Sequence, residues 1–222
     1  MRLSQLLLTL TLLSLTTCSV PLDKRHLLVL GDSNGERQGW VYQFQELRGG
    51  GPLVNTSISG NTIGYSYGAD TRLNSLENLT NYLRLGYAEM GQIDEILIGL
   101  GTNDCKTRFA KNEPDAAANL DTLLNRTARF FADRGQDMPR IVLLTPPPIA
   151  TDNELIDEFQ GARACVTALS ERIRGIGAER GYCVVDLQAE PGVAVLEQSA
   201  DGIHFNERGY RMLGRAVLEQ CY

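Results

Sequence analysis

A serine and a histidine in distant parts of this sequence are residue types that nucleophilic catalysis requires. Ser33 lies in a short polar turn between Gly31 and Gly35, directly after an apolar run. We predict a strand-to-helix turn here, which would expose the hydroxyl and leave backbone N–H groups free at the start of the helix. Such donors can stabilise an oxyanion. The alternative is that Asp32, Ser33 and Asn34 only cap that helix.

A serine nucleophile needs a base, and the sequence contains only two histidines. His26 starts the apolar run that Ser33 follows, so the extended chain between them would separate the two residues by roughly 16 Å. His204 lies on a polar loop before the last predicted helix, and the nearby Asp201 could orient its ring and stabilise its charged form. The alternative is a polar turn that leads into a helix capped by Asn206. We predict His204 as the base and Asp201 as its partner.

Two further residues could donate hydrogen bonds to a developing negative charge. Asn103 follows the third apolar run, and its side-chain amide can donate to an oxyanion. Gly60 follows the second apolar run, and a glycine lets its own N–H approach a ligand closely. The alternative for each is an ordinary turn residue. Their neighbours Asn61 and Asp104 are predicted to be turn or supporting residues and not catalysts.

Along residues 26–222, short apolar runs alternate with longer segments in which the apolar residues recur at helical spacing. Apolar runs of this length, bounded by polar turns, predict buried strands. The predicted strands are 26–31, 53–58, 93–100, 140–145 and 182–187. The predicted helices are one marked by Trp40, Phe44 and Leu47, one over 73–89, one that Pro114 opens, one over 154–180, and a last one marked by Tyr210, Leu213 and Val217.

Strands that alternate with helices predict a parallel sheet covered on both faces. Because crossovers between parallel strands are right-handed, the simplest arrangement is a doubly wound, flavodoxin-like α/β fold with a five-stranded parallel sheet. Ligands of such sheets bind beyond the carboxyl ends of the strands. Ser33, Gly60 and Asn103 each follow a strand, and we place His204 at the same edge. No repeat or linker divides residues 26–222, which predicts a single domain.

The four polar segments together resemble the SGNH hydrolase superfamily, whose four sequence blocks carry Ser, Gly, Asn and His in that order. Here the blocks read Gly31-Asp32-Ser33-Asn34, Gly60, Gly101-Thr102-Asn103-Asp104 and Asp201-Gly202-Ile203-His204. The resemblance implies the SGNH hydrolase fold, with Ser33 as nucleophile, His204 as base and Asp201 as its partner. It also implies an oxyanion hole formed by Ser33 N–H, Gly60 N–H and the Asn103 side chain, with no metal or organic cofactor. One departure is Asn34, where many members have Leu or Ile.

Looser features are similar to the arylesterase and acyltransferase subgroup of these hydrolases. They are residues 70–74, residues 101–106, Pro146-Pro147-Pro148 and residues 201–205. This resemblance implies hydrolysis of short-chain carboxylic esters through an acyl-enzyme intermediate. Carbohydrate O-acetyl esterases share the fold and the blocks, so an acylated sugar is the alternative substrate.

A non-catalytic module is the alternative from a different class of protein. A flavodoxin-like domain could bind phosphate or a nucleotide at residues 31–35. The Asp32 carboxylate opposes this reading because it would repel an anion, and the turn has no Walker lysine. A catalytically inactive, carbohydrate-binding relative is a further alternative, which the complete set of Ser33, His204 and Asp201 disfavours.

The net charge bears on the partners of the protein, and the amino-terminal segment bears on its location. The formal net charge of −6 disfavours a nucleic-acid partner. Residues 1–20 combine Arg2, an apolar run over 6–15 and small residues, which is typical of a secretory signal peptide. The run is shorter than the roughly 20 apolar residues that span a bilayer. The segment is also similar to a bacterial lipoprotein signal, which would make Cys18 a lipid anchor. The alternative is a buried amino-terminal strand or helix.

The four cysteines that follow Cys18 form no CxxC motif or Cys/His cluster, so a zinc site is not expected. Export would allow them to oxidise. Cys183 starts the fifth predicted strand, at the edge of the sheet opposite the predicted site. Cys221 ends the last helix, which begins near His204 and runs back to that opposite edge. We therefore predict a Cys183–Cys221 disulfide, with two unrelated thiols as the alternative.

Overall fold

The computed structural model describes residues 20–112 and 115–222, which form alternating strands and helices. The strands are β1 (Leu27–Gly31), β2 (Leu53–Asn55), β3 (Glu95–Gly99), β4 (Arg140–Leu144) and β5 (Cys183–Val185). The main helices are α1 (Trp40–Leu47), α2 (Ser75–Met90), α3 (Ala116–Ala132), α4 (Ala162–Arg180) and α5 (Glu207–Cys221). Every predicted strand and helix is therefore present, although several are shorter than predicted.

The five strands form one sheet in the order β2-β1-β3-β4-β5, and all neighbouring pairs are parallel. This is the flavodoxin-like order, and the prediction of a doubly wound α/β fold is confirmed. β1 lies inside the sheet, and all five of its residues are buried. Because parallel strands end at the same edge, the segments that follow β1, β2 and β3 meet there.

Each face of the sheet packs on its own set of helices, which explains the uninterrupted apolar runs in the strands. Leu28, Leu30 and Ile96 lie in a core cluster with buried residues of α2, α3 and α4. Leu27 and Val29 point to the other face and join a cluster with buried residues of α1 and α5. Side chains of β1 alternate between the two clusters, as the period of two in a strand requires.

Polar caps begin several of the helices at the expected places. The Asn74 side chain accepts a hydrogen bond from Glu77 N–H at the start of α2, and Asn206 accepts one from Gly209 N–H at the start of α5. Asp115 caps α3 in the same way, through Ala118 N–H. Pro114, which was predicted to open this helix, lies outside the described residues.

Two predicted boundaries are wrong. The helix predicted over 154–180 begins only at Ala162, after Gly161 in the left-handed conformation (φ 78°). The preceding residues form short 3-10 turns that bury Leu155 and Phe159 in the core, so their apolar spacing reflects turns and not an α-helix. The second strand ends at Asn55, and residues 56–58 continue as a loop toward the carboxyl end of β1.

The predicted signal peptide and Cys18 lie outside the described residues, except for Val20, which is exposed. In the part of the chain that the structure describes, no helix has both the length and the apolar character needed to cross a membrane.

Candidate active site

Ser33 lies on a tight turn of its own at the carboxyl end of β1. Gly35 N–H donates to the Asp32 carbonyl at 3.0 Å, and Asn34 N–H donates to the Asp32 carboxylate at 3.0 Å. The predicted strand-to-helix turn is wrong in one respect, because α1 begins only at Trp40, with Gly39 as its N-cap. Ser33 is therefore neither a cap of α1 nor at its positive end, and the capping alternative is wrong as well.

His204 and Ser33 are in direct contact. The Nε2 atom of His204 lies 2.8 Å from Ser33 Oγ, and the Nδ1 atom lies 2.7 Å from Asp201 Oδ2. Since an ionised carboxylate only accepts hydrogen bonds, Nδ1 carries a proton and Nε2 is left to accept from the Ser33 hydroxyl. The structure thus joins all three predicted residues in one hydrogen-bonded chain.

The loop that carries His204 is held by the same carboxylate. Asp201 Oδ1 accepts hydrogen bonds from His204 N–H at 2.7 Å and from Ile203 N–H at 2.9 Å. Partial burial raises the pKa of Asp201, but the hydrogen bonds from His204 and Ile203 outweigh this effect, so its pKa lies below the ordinary value. Asp201 is therefore a carboxylate at neutral pH. The polar-turn alternative is also correct in part, because Asn206 does cap α5.

The segments that carry Gly60 and Asn103 meet beside the end of β1. The Asn103 side-chain amide donates to the Asn61 carbonyl at 3.1 Å, and the Asn61 side-chain amide donates to the Gly31 carbonyl at 3.0 Å. Gly60 has a φ of 84°, a conformation that favours glycine. Asn61, fully buried, thus links the Ser33 turn to both predicted oxyanion segments.

Two buried carboxyl groups lie behind these segments. Burial raises the pKa of Asp32 to about 6, against the opposing hydrogen bond from Asn34 N–H and the charge of His204. Burial also raises the pKa of Asp104 to about 7, although Ile63 N–H and Gly64 N–H donate to it. Asp104 Oδ1 and Oδ2 both lie 3.0 Å from Ile63 N, so this side chain anchors the loop that follows Gly60.

His26 lies at the opposite end of β1 from Ser33. Its backbone N–H donates to Asp94 Oδ2 at 2.7 Å, and its Nδ1 atom lies 2.9 Å from the same oxygen. The prediction that His26 is remote from the site is confirmed. Within the described residues, no group of His, Cys, Asp and Glu is arranged to hold a metal ion.

Two open clefts, each of about 500 Å³, adjoin His204. The first is lined by Ser33 and His204, by Gly39 and Phe205, and by six further residues of polar type: Glu36, Arg37, Gln38, Ser59, Glu207 and Tyr210. The second runs along residues 197–206, on the side of Asp201. The His204 side chain is 45% exposed and Ser33 is half-buried, so both residues are accessible to solvent in the described part of the chain.

A parallel α/β sheet with a Ser–His–Asp chain at its carboxyl edge defines a serine hydrolase. The model of the GDSL-like lipase/acylhydrolase family matches residues 17–212, and the chain belongs to this family. It is a carboxylic ester hydrolase of the SGNH type.

Solved structures share this fold. Est24, a carbohydrate acetylesterase from Sinorhizobium meliloti, aligns with a TM-score of 0.73 and 22% identity over 88% of this chain and 97% of its own. The native aryl esterase of M. smegmatis aligns with a TM-score of 0.73 and 23% identity over the same shares. At these identities the likeness establishes the fold. No curated protein matches the chain in sequence.

Proposed function

We propose that this protein is an esterase that cleaves short acyl groups from alcohols through an acyl-enzyme on Ser33. The observation that carries the proposal is the unbroken chain from Ser33 Oγ through the His204 ring to Asp201. His204 Nε2 takes the hydroxyl proton while Ser33 Oγ attacks the ester carbonyl carbon. Asp201 fixes the ring orientation and stabilises the imidazolium that forms.

The tetrahedral intermediate carries its negative charge on the former carbonyl oxygen. Ser33 N–H, Gly60 N–H and the Asn103 amide are proposed to donate to this oxygen. As the intermediate collapses, the bond to the alcohol breaks and His204 returns its proton to the leaving oxygen. Water then attacks the acyl carbon while His204 takes a proton from it. The bond from this carbon to Ser33 Oγ breaks, His204 returns the proton to Ser33 Oγ, and the carboxylic acid is released.

Short acyl groups are proposed because the clefts beside His204 are open to solvent and most of the residues that line them are of polar type. Neither is lined by a run of aliphatic side chains that could bury a long acyl chain. The test is hydrolysis of p-nitrophenyl esters of graded acyl length. Faster cleavage of long-chain esters than of the acetate would contradict this part of the proposal.

A carbohydrate O-acetyl ester is the second candidate substrate. The polar lining of the first cleft, with Glu36, Gln38 and Glu207, suits an alcohol that carries further hydroxyl groups. Acetylated sugars should therefore be assayed beside the p-nitrophenyl series. A higher kcat/KM for the sugars than for p-nitrophenyl acetate would favour this candidate.

A serine-directed fluorophosphonate separates an esterase from a module that only binds ligands. Labelling of the wild type and not of Ser33→Ala supports the proposal, and the Ser57→Ala variant, whose serine lies in a nearby loop, is the control that should still label. Failure of the wild type to label would overturn the catalytic assignment.

Export, by a signal within residues 1–20, is also proposed. It is supported by the basic and then apolar pattern of this segment and by two disulfides in the domain, since disulfides persist in oxidising compartments. The mass of the mature protein tests cleavage, and release of the Cys18→Ala variant from the membrane fraction tests lipidation. An unprocessed, cytosolic protein would contradict the proposal.

A further inference from the structure

A disulfide joins the turn that carries Asn103 to a long helix. Asn103–Cys105 form one 3-10 turn in the loop that follows β3, and Cys105 is bonded to Cys165 in the first turn of α4. The two Cα atoms are 5.5 Å apart, and Cys105 is buried. Only Asp104 therefore separates a side chain proposed to stabilise the oxyanion from a covalent attachment to α4.

The hydrogen bonds of this turn lead to another loop and not to a helix. The Asn103 amide donates to the Asn61 carbonyl, and the Asp104 carboxylate accepts from Ile63 N–H. Both partners belong to the loop that carries Gly60. The two proposed oxyanion segments thus hold each other, and the disulfide is the covalent link from this pair to α4, a helix of 19 residues.

We propose that the Cys105–Cys165 disulfide is a positioning element for Asn103, so that it contributes to catalysis beyond its contribution to stability. The inference rests on the proposed esterase function and on the role of Asn103 in it. A preorganised donor acts only when it already points at the place where charge develops, and a displacement of about 1 Å can cost roughly 100-fold in rate. Without the link, the turn would be held only by non-covalent contacts, namely its packing in the core and its hydrogen bonds to the loop that carries Gly60.

The second disulfide of the chain is a matched control. Cys183–Cys221 joins the start of β5 to the end of α5, at the edge of the sheet opposite Ser33. The sequence separations of the two disulfides are 60 and 38 residues. Because the entropy that a cross-link removes from the unfolded chain grows only with the logarithm of loop length, the two should stabilise the fold to a similar extent.

The experiment compares Cys105→Ala/Cys165→Ala with Cys183→Ala/Cys221→Ala. Both are assayed on p-nitrophenyl acetate well below their melting temperatures, and fluorophosphonate titration gives the concentration of active sites. We expect kcat per active site to fall about tenfold or more in the first variant, with KM within about twofold. The control should keep kcat within about twofold. Equal kcat values in the two variants would overturn the proposal.

A double-mutant cycle shows whether the disulfide acts through Asn103. If it does, removal of Cys105–Cys165 should lower kcat much less in an Asn103→Ala background than in the wild type. Equal losses in both backgrounds would overturn the proposal. If Cys105→Ala/Cys165→Ala does not fold, Cys165→Ala alone provides the same comparison, because it leaves the buried Cys105 in place. An inactive wild type would instead indicate failure of the proposed esterase function, and an unaffected Asn103→Ala would indicate failure of the proposed role of Asn103.

Discussion

The His204 ring lies 2.8 Å from the Ser33 hydroxyl although 171 positions separate the two residues in sequence. The contact forms because β1 ends at Gly31 and the loop before α5 returns to the same edge of the sheet. The carboxylate of Asp201 holds both the ring and the backbone of His204, so the loop and the base are oriented together.

The two histidines should respond oppositely to substitution. His204→Ala removes the proton acceptor of Ser33, and we expect kcat/KM on p-nitrophenyl acetate to fall by at least about 10³. His26→Ala, the matched control, should keep most of the activity because His26 bonds to Asp94 at the far end of β1. Substantial turnover by His204→Ala would contradict the proposed mechanism.

Asn103→Ala should lower kcat by roughly 10²–10³ with a much smaller change in KM, because the amide is proposed to act mainly in the transition state. Steady-state kinetics on the same ester measure both constants. Asn112→Ala, which changes an exposed asparagine of the same connection, is the control. An unchanged kcat in Asn103→Ala would reduce this residue to a part of the turn.

Stability should fall as the pH rises from about 4 to 8. The pKa of Asp32 is raised to about 6 and that of Asp104 to about 7, so the folded state binds these protons more tightly than the unfolded state. Their favourable contribution is complete below the ordinary carboxyl pKa and is lost as the pH rises through the raised values. The lowered pKa of Asp201 acts in the opposite direction, but only at lower pH.

Asp32→Asn tests this pH dependence. The difference in unfolding free energy between pH 5 and pH 8, measured with urea, should shrink by roughly 1 kcal/mol, because the raised pKa of about 6 lies only about one unit above pH 5. Asp137→Asn, at an exposed position, is the control and should leave the difference unchanged. A pH dependence in Asp32→Asn equal to that of the wild type would contradict the prediction.

Asn34→Leu should stabilise the protein. The Asn34 side chain is 1% exposed, and neither its amide nitrogen nor its oxygen has a hydrogen-bond partner among the described residues. Removing an unsatisfied buried amide should raise the unfolding free energy by roughly 1–3 kcal/mol. Leu can also fill part of the small cavity beside Asn34, whereas Asn34→Ala cannot. A lower melting temperature for Asn34→Leu than for the wild type would contradict this account.

Much of the fold could be predicted from sequence because it depends on local pattern. Apolar runs predicted all five strands, and their alternation with helices predicted the parallel sheet and the edge that carries the site. The same topology predicted the Cys183–Cys221 disulfide, which is confirmed with Cα atoms 5.9 Å apart. The choice of His204 over His26 also followed from the sequence, since one extended strand must separate His26 from Ser33.

The details of the site depend on contacts between segments that are distant in sequence. No local sequence pattern encodes such contacts. The sequence placed Asn61 in a turn, but only the tertiary structure shows its side chain bonded to Gly31 and its carbonyl to Asn103. The late start of α1 is likewise visible only in the tertiary structure, in which Trp40 packs in the core with residues of β1 and β3. The sequence thus determined which residue types arrive at the edge of the sheet. The packing of whole elements decided the distances between these residues. Those distances decide which hydrogen bonds form, because a hydrogen bond tolerates only a narrow range of distance and angle.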